Sequence, residues 1–305
     1  MVEEAIGIDV GGTKTLALRI QPDGNATARA CVPTPRTGPR DLLQLLFSLT
    51  DRLRTPATST IGVALPGLVD TTTGALRHAP GFDCDDLTVR SQMEQATQLP
   101  VVTDNDARAA AWAEHRVGSG RDYNNLIVIT AGTGWGCGVI TDGKLLKGSH
   151  GFACEVGHLF VDSEGPLCYC GRTGCAEVSA SGTAISHHGR AAGFADGETV
   201  TRAAREGDPD AQRILHTVGT ALGRGAATLA DLLDPALVIV GGGAADAEEL
   251  LLAPARTAMR DSLTASRRRP DIPPMVTAAL GNDAGAIGIA LQALGGKPTP
   301  SQRQG

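Results

Sequence analysis

The chain is 305 residues long, 42% hydrophobic and 20% charged, with a formal net charge of -6. This is too long for one small core and long enough for two domains. The acidic balance, with no basic run beyond Arg267-Arg268-Arg269, argues against nucleic acid as a partner. Residues 1–10, MVEEAIGIDV, lack the basic and apolar regions of a signal peptide. No apolar run approaches the ~20 residues of a membrane helix. The expectation is a cytoplasmic protein with no membrane partner.

In chain order, residues 5–10 read as a strand, Gly11-Gly12-Thr13-Lys14 as a tight turn and residues 15–20 as a second strand. Pro22-Asp23-Gly24 turns into a third strand at 28–32. Leu42, Leu45, Leu46 and Leu49 fall on one face of a helix over 41–53. Residues 61–65 form a buried strand stopped by Pro66-Gly67, followed by a hairpin-like segment at Thr73-Gly74 and a helix over about 86–98. The strand 100–103 delivers Asp104-Asn105-Asp106 to its end, and 107–117 is helical.

The pattern then restarts. Residues 126–130 are a strand, Ala131-Gly132-Thr133-Gly134 a glycine turn and 138–141 a strand, about 120 residues after the first such unit, which suggests an internal duplication. Helices follow over about 180–192, 199–206 and 210–233. The strand 236–240 ends in Gly241-Gly242-Gly243 and leads to a helix over about 247–264. A last strand, 275–279, and a last helix, 284–294, precede a tail at 295–305 expected to be disordered. The expected domains are 1–118, joined by the helix 284–294, and 119–283, with a metal-binding insertion at 151–177.

That insertion packs Cys168, Cys170 and Cys175 into one short stretch, with His158 ahead of them and Glu155 and Glu177 flanking. Three thiolates and an imidazole form the ligand set of a closed structural zinc site. Of the remaining cysteines, Cys31, Cys84 and Cys137 read as small buried apolar residues, and Cys154 is the exception because it sits beside Glu155 in this block. Backbone amides exposed in the two glycine turns suit an anion. No GxxxxGK[ST] is present, and no GxGxxG follows the first strand, so neither a P-loop nor a dinucleotide site is indicated. Asp106, at the junction of a strand and a helix, reads equally as a helix cap or as a catalytic base.

Asp9-Val10-Gly11-Gly12-Thr13-Lys14, the Gly-Thr-Gly turn, Asn105-Asp106, Glu155-Val156-Gly157-His158 and the run from Cys168 through Cys170, Gly171, Gly174 and Cys175 to Glu177 together resemble the ROK family. The motifs stand in the family's order from residue 5 to about 294. The resemblance implies the α/β actin-like ATPase (ribonuclease H-like) fold, with duplicated βββαβα units in two domains around a cleft. It implies an ATP-dependent hexose kinase of the glucokinase group, acting on glucose and ATP, and commonly a homodimer or homotetramer. Asp106 is then the general base. Gly67, Asn105, Glu155, His158 and Glu177 become sugar contacts, with one His158 ring nitrogen on zinc and its other face toward the sugar. Asp9, Gly11, Gly12, Thr13, Lys14, Gly132, Thr133, Gly134, Gly242 and Gly243 serve the nucleotide with its magnesium. His158, Cys168, Cys170 and Cys175 hold a structural zinc that does not touch phosphate.

Departures from the family pattern cluster near the sugar contacts. Trp135 follows Gly134 where a small or aliphatic residue is usual, and reads either as a packing variant or as a narrowing of the phosphate site. Cys154 replaces a glycine and could pack or compete for metal. His78 stands where asparagine is usual in an N-L-P-G-W stretch. Other ROK sugars, such as N-acetylglucosamine, N-acetylmannosamine, mannose, fructose and allose, stay open. A ROK repressor would need a helix-turn-helix before the first strand, and a sensor without catalysis sits poorly with intact Asp9, Asp106 and phosphate turns.

Overall fold

The apolar run after the N-terminus forms β1 (Glu4–Val10), which pairs antiparallel with β2 (Lys14–Ile20), itself antiparallel to β3 (Ala26–Pro33). The computed structural model describes residues 2–79, 82, 85–161 and 165–295. After α1 (Pro39–Leu53), β4 (Thr58–Leu65) lies parallel to β1. A small hairpin of β5 (Leu68–Asp70) and β6 (Ala75–His78) leads to α2 (Val89–Thr97). Then β7 (Val101–Asn105) pairs parallel with β4 and runs directly into α3 (Asp106–Val117). The sheet order is β3-β2-β1-β4-β7. Because β1, β4 and β7 are parallel, their C-terminal ends, carrying Asp9, Pro66-Gly67 and Asn105-Asp106, lie along one edge, where α/β sheets collect ligands.

The second sheet repeats this plan. Within it β8 (Leu126–Ala131) pairs antiparallel with β9 (Trp135–Thr141), which is followed by β10 (Lys144–Leu145). Next come α4 (Ala176–Ala180), α5 (Gly182–Ala191), α6 (Gly197–Arg205) and α7 (Pro209–Leu233). After them β11 (Leu237–Gly241) lies parallel to β8, α8 (Glu249–Ser262) follows, and β12 (Met275–Thr277) closes the sheet. The order β10-β9-β8-β11-β12 matches the first sheet position for position. The helix expected over about 247–264 is α8, and a separate turn precedes it. A 3₁₀ turn over Gly243–Ala247 comes first, and Glu248 at φ 51 breaks it from α8.

The chain divides into two units. One holds residues up to Arg121, Leu145–Ala153 and 282–295; the other holds Asp122–Lys144 and Cys154–Gly281. The sequence reading places 145–153 with the second domain, but its contacts are with the first unit. The Thr71 N–H donates to the His150 carbonyl at 3.0 Å, and Lys147 reaches Asp104 at 2.8 Å. The last helix, α9 (Ala284–Gly295), joins the first unit by packing on β1 and α3. A side chain at Gly62 would lie 2.3 Å from the Ile289 carbonyl of α9, so the strand and the helix backbone meet only because that position is glycine. Gly295, assigned to the tail from sequence, ends this helix; the rest of the tail, with Pro80, Gly81 and Cys84, lies outside the described residues.

Leu42, Leu46, Ile61, Val63 and Met93 center the first core; Ile129, Leu215, Val218, Leu222 and Val240 center the second. Among the described residues no helix is long and apolar enough to cross a membrane.

Candidate functional site

In the first unit the turn between β1 and β2 is held from behind. The Thr34 hydroxyl donates to the Gly11 carbonyl at 2.8 Å, Arg36 donates through Nε and Nη2 to the Gly12 carbonyl at 3.1 and 2.7 Å, and the Thr34 N–H donates to the Thr13 carbonyl at 3.0 Å. In a trans peptide the N–H points opposite the preceding C=O. Engaging the carbonyls of Gly11 and Gly12 on one side therefore turns the N–H groups of Gly12 and Thr13 to the other. The second unit does the same. Gly182 N–H donates to the Gly132 carbonyl at 2.8 Å and the Thr183 hydroxyl to the Thr133 carbonyl at 2.6 Å, so the N–H groups of Thr133 and Gly134 face away. Both turns have the amide geometry of an anion cradle.

Asp9, half-buried at the end of β1, is pushed up to about 8, first by burial and then by the negative charge of Asp106, with Lys14 opposing. Asp9 fits a magnesium ion or its waters, since the donor is a hard oxygen.

Asn105 and Asp106 divide two jobs. Asn105 is the N-cap of α3: its side-chain oxygen accepts the Arg108 N–H at 3.2 Å, and its Nδ2 donates to the Gly67 carbonyl at 3.2 Å. Asp106 is therefore not the cap. Its Oδ1 accepts the neighbouring Ala107 N–H at 2.8 Å, the Asn105 side chain also bonds to the carboxylate, and the residue remains half-exposed. Burial raises its pKa, opposed by the Ala107 N–H and the Arg108 charge. Gly67 sits at φ 77, and a Cβ there would lie 2.3 Å from the His78 carbonyl, so only glycine fits. The His78 side chain is drawn outward to Asp85 at 3.0 Å.

In the second unit His158 Nδ1 lies 3.6 Å from Cys168 Sγ, and Cys170 Sγ lies 3.6 Å from Cys175 Sγ. The ligand atoms of His158, Cys168, Cys170 and Cys175 all lie within 4.8 Å of one another. Tetrahedral ligands about 2.3 Å from a zinc ion stand about 3.8 Å apart, so this set fits zinc. Hydrogen bonds from Arg172, backbone first, lower the Cys170 thiol to about 7, while burial raises Cys168 and Cys175. Tyr169, which the sequence reading passes over, places its hydroxyl 2.9 Å from His158 Nε2. The second ring nitrogen of His158 therefore has a partner, as ligating histidines commonly do.

Glu177 is also more tightly held than its sequence suggests. Its Oε2 accepts the Trp135 N–H at 3.0 Å, and a Cβ at Gly134 would lie 2.4 Å from that oxygen. The Trp135 ring is buried against Gly225 of α7, so it is a packing variant and does not narrow the phosphate turn. Cys154 does not join the zinc ligands. It adopts φ 74, the left-handed conformation that glycine takes freely, at a strain of about 1–3 kcal/mol. Gly242, at φ 82, lies against the Ala131 backbone at the end of β8, beside the second turn, and Gly243 opens the 3₁₀ turn.

The sequence model of the ROK family matches residues 5–295. The chain belongs to the ROK family. It is 35% identical to a glucokinase of Streptomyces coelicolor, over 93% of this chain and 96% of that one. It is 36% identical to an N-acetylmannosamine kinase of Escherichia coli, over 96% of this chain and 99% of that one. Among solved structures, a ROK family glucokinase from Streptomyces griseus in complex with glucose and AMPPNP superposes with a TM-score of 0.87 at 34% identity, covering 96% of this chain and all of that one. The duplicated mixed sheets are those of the actin-like ATPase fold.

Proposed function

We propose that this ATP-dependent sugar kinase phosphorylates the 6-hydroxyl of D-glucose, with Asp106 as the general base. The observation that carries the mechanism is the division of labour at the end of β7: Asn105 caps α3, which leaves the Asp106 carboxylate available to accept a hydroxyl proton. An alcohol attacks phosphorus well only as its proton leaves, and a half-buried carboxylate at a helix N-terminus suits that task. The amides of Gly12, Thr13, Thr133 and Gly134 hold phosphate oxygens, with Lys14 adding charge. Gly242 and Gly243 flank the nucleotide. Magnesium bound with ATP neutralises phosphate charge, and Asp9 holds it directly or through water.

Gly67, Asn105, Glu155, His158 and Glu177 recognise the sugar; acids and amides together suit a polyol, whose hydroxyls both donate and accept. His158, Cys168, Cys170 and Cys175 hold zinc as a scaffold, since its ligands are all protein. The relative solved with glucose supports glucose as acceptor. The N-acetylmannosamine kinase of comparable identity supports a second reading, in which the acceptor carries an N-acetyl group at C2.

A coupled assay of the purified protein against hexoses and N-acetylhexosamines, with ATP or polyphosphate as donor, separates the two. Glucose with ATP is expected to give the highest kcat/KM; a clear preference for N-acetylmannosamine would replace the first reading with the second.

A further inference from the structure

Beneath Asn105 and Asp106 lies a set of buried charges that the mechanism above does not use. Asp104, fully buried, precedes them in β7. Its Oδ1 accepts Arg108 Nε at 2.7 Å and the Asn105 N–H at 2.8 Å, while Lys147 Nζ stands 2.8 Å from its Oδ2. Arg108, 1% exposed, also donates to the Ala153 carbonyl at 3.2 Å, and Lys147 donates to Gln292 of α9 at 2.9 Å.

Stability does not explain this arrangement. One carboxylate faces two cations, so the charges do not cancel. Arg108 Nη2 is buried and meets no acceptor among the described residues. Buried ionic groups of this kind are often less stable than apolar residues of equal volume, and an orphaned donor adds a desolvation cost. What the network does supply is position. It fixes the residue before Asn105, the Asn105 N–H itself and, through Arg108, the first turn of α3 on which Asp106 rides. Through Lys147 and the Ala153 carbonyl it also ties down both ends of Leu145–Ala153.

We propose that Asp104, Arg108 and Lys147 are positioning residues for phosphoryl transfer, holding the end of β7 so that Asp106 meets the sugar hydroxyl in line. This rests on Asp106 being the base. A role in positioning and a role in stability predict opposite couplings between melting temperature and turnover.

The test is the neutral variant D104N/R108M/K147M beside the single variant Arg108→Lys, with Tm and steady-state constants measured for the sugar that the wild type prefers. In the neutral variant Tm is expected to hold or rise while kcat falls about 100-fold, the cost of a misplaced catalytic group. The KM values for sugar and ATP change far less than kcat, and Arg108→Lys recovers part of the loss. A folded neutral variant with wild-type kcat, or one that loses kcat/KM through KM alone, overturns the proposal. If the neutral variant does not fold, Lys147→Met takes its place, because this side chain lies at the network's edge, 36% exposed. There a lower kcat at constant KM supports the proposal and an unchanged kcat overturns it. Asp106→Asn, assayed in parallel, keeps the two readings apart: near-normal turnover in that variant removes the base assignment itself, whatever the network variants do.

Discussion

Asn105 and Asp106 are adjacent and differ by one amide, yet the end of β7 gives them separate work. The side chain one position earlier reaches the Arg108 N–H and closes the open end of α3; the side chain at the first helical position points past it. Sequence alone could not separate them, because both residue types cap helices well and the choice depends on where the helix starts. Asp106→Asn keeps the shape and removes the proton acceptor. It is expected to lower kcat by about 10²–10⁴-fold while sugar binding, measured by calorimetry, stays near that of the wild type. The sign of the pH dependence follows from burial. A base must be ionised, burial raises the pKa of Asp106, and kcat therefore falls with decreasing pH from a point above the ordinary carboxylate range near 3.8. A profile whose acid limb lies below that range would contradict the assignment.

At the scale of elements, each sheet joins its first two strands by a glycine turn whose carbonyls are engaged from behind. Thr34 and Arg36 do this in the first unit, Gly182 and Thr183 in the second. The strands and the duplication were legible because apolar runs and glycine punctuation mark them directly. The supports were not, since Thr34 and Arg36 lie more than 20 residues from the turn they hold and carry no local signal. The same holds for Glu177, which looks like a free acid in sequence but accepts the Trp135 N–H in the structure. Gly134→Ala tests that contact. The new methyl would fall 2.4 Å from Glu177 Oε2 and must push it off the Trp135 N–H. A hydrogen bond to a charged group contributes about 1.5–3 kcal/mol, so KM for the sugar is expected to rise roughly 10–100-fold if Glu177 loses its place. Unchanged sugar KM in a folded Gly134→Ala protein would show that Glu177 does not contact the sugar.

Over the whole molecule, both sheets close apolar cores, but the block from Cys154 to Glu177 does not. Among the described residues its regular structure before α4 begins at Ala176 is one short 3₁₀ turn over Val156–His158 and the isolated bridges Phe160–Cys175 and Leu167–Thr173. Phe160, Leu167 and Tyr169 are 69%, 73% and 60% exposed, so this segment buries too little apolar surface to hold its own shape. Cross-linking must come from elsewhere, and among the described residues no disulfide joins its cysteines. A metal held by His158, Cys168, Cys170 and Cys175 would supply the missing constraint, because binding energy at a structural zinc site is folding energy. The consequence would reach past the metal: Glu155 precedes the turn that carries His158, and Glu177 follows Cys175 by two residues, so loss of a zinc held there would free the proposed sugar contacts together. The expected result is about one zinc per chain by metal analysis. Cys170→Ala should lose that zinc and sugar affinity with it, while nucleotide binding at the first glycine turn, whose supports lie wholly in the first unit, falls far less. Sugar titration of the variant and of chelator-treated wild type should agree, since both remove the same staple. Wild-type protein that contains no zinc, yet binds sugar normally, would show that the block keeps its shape without metal.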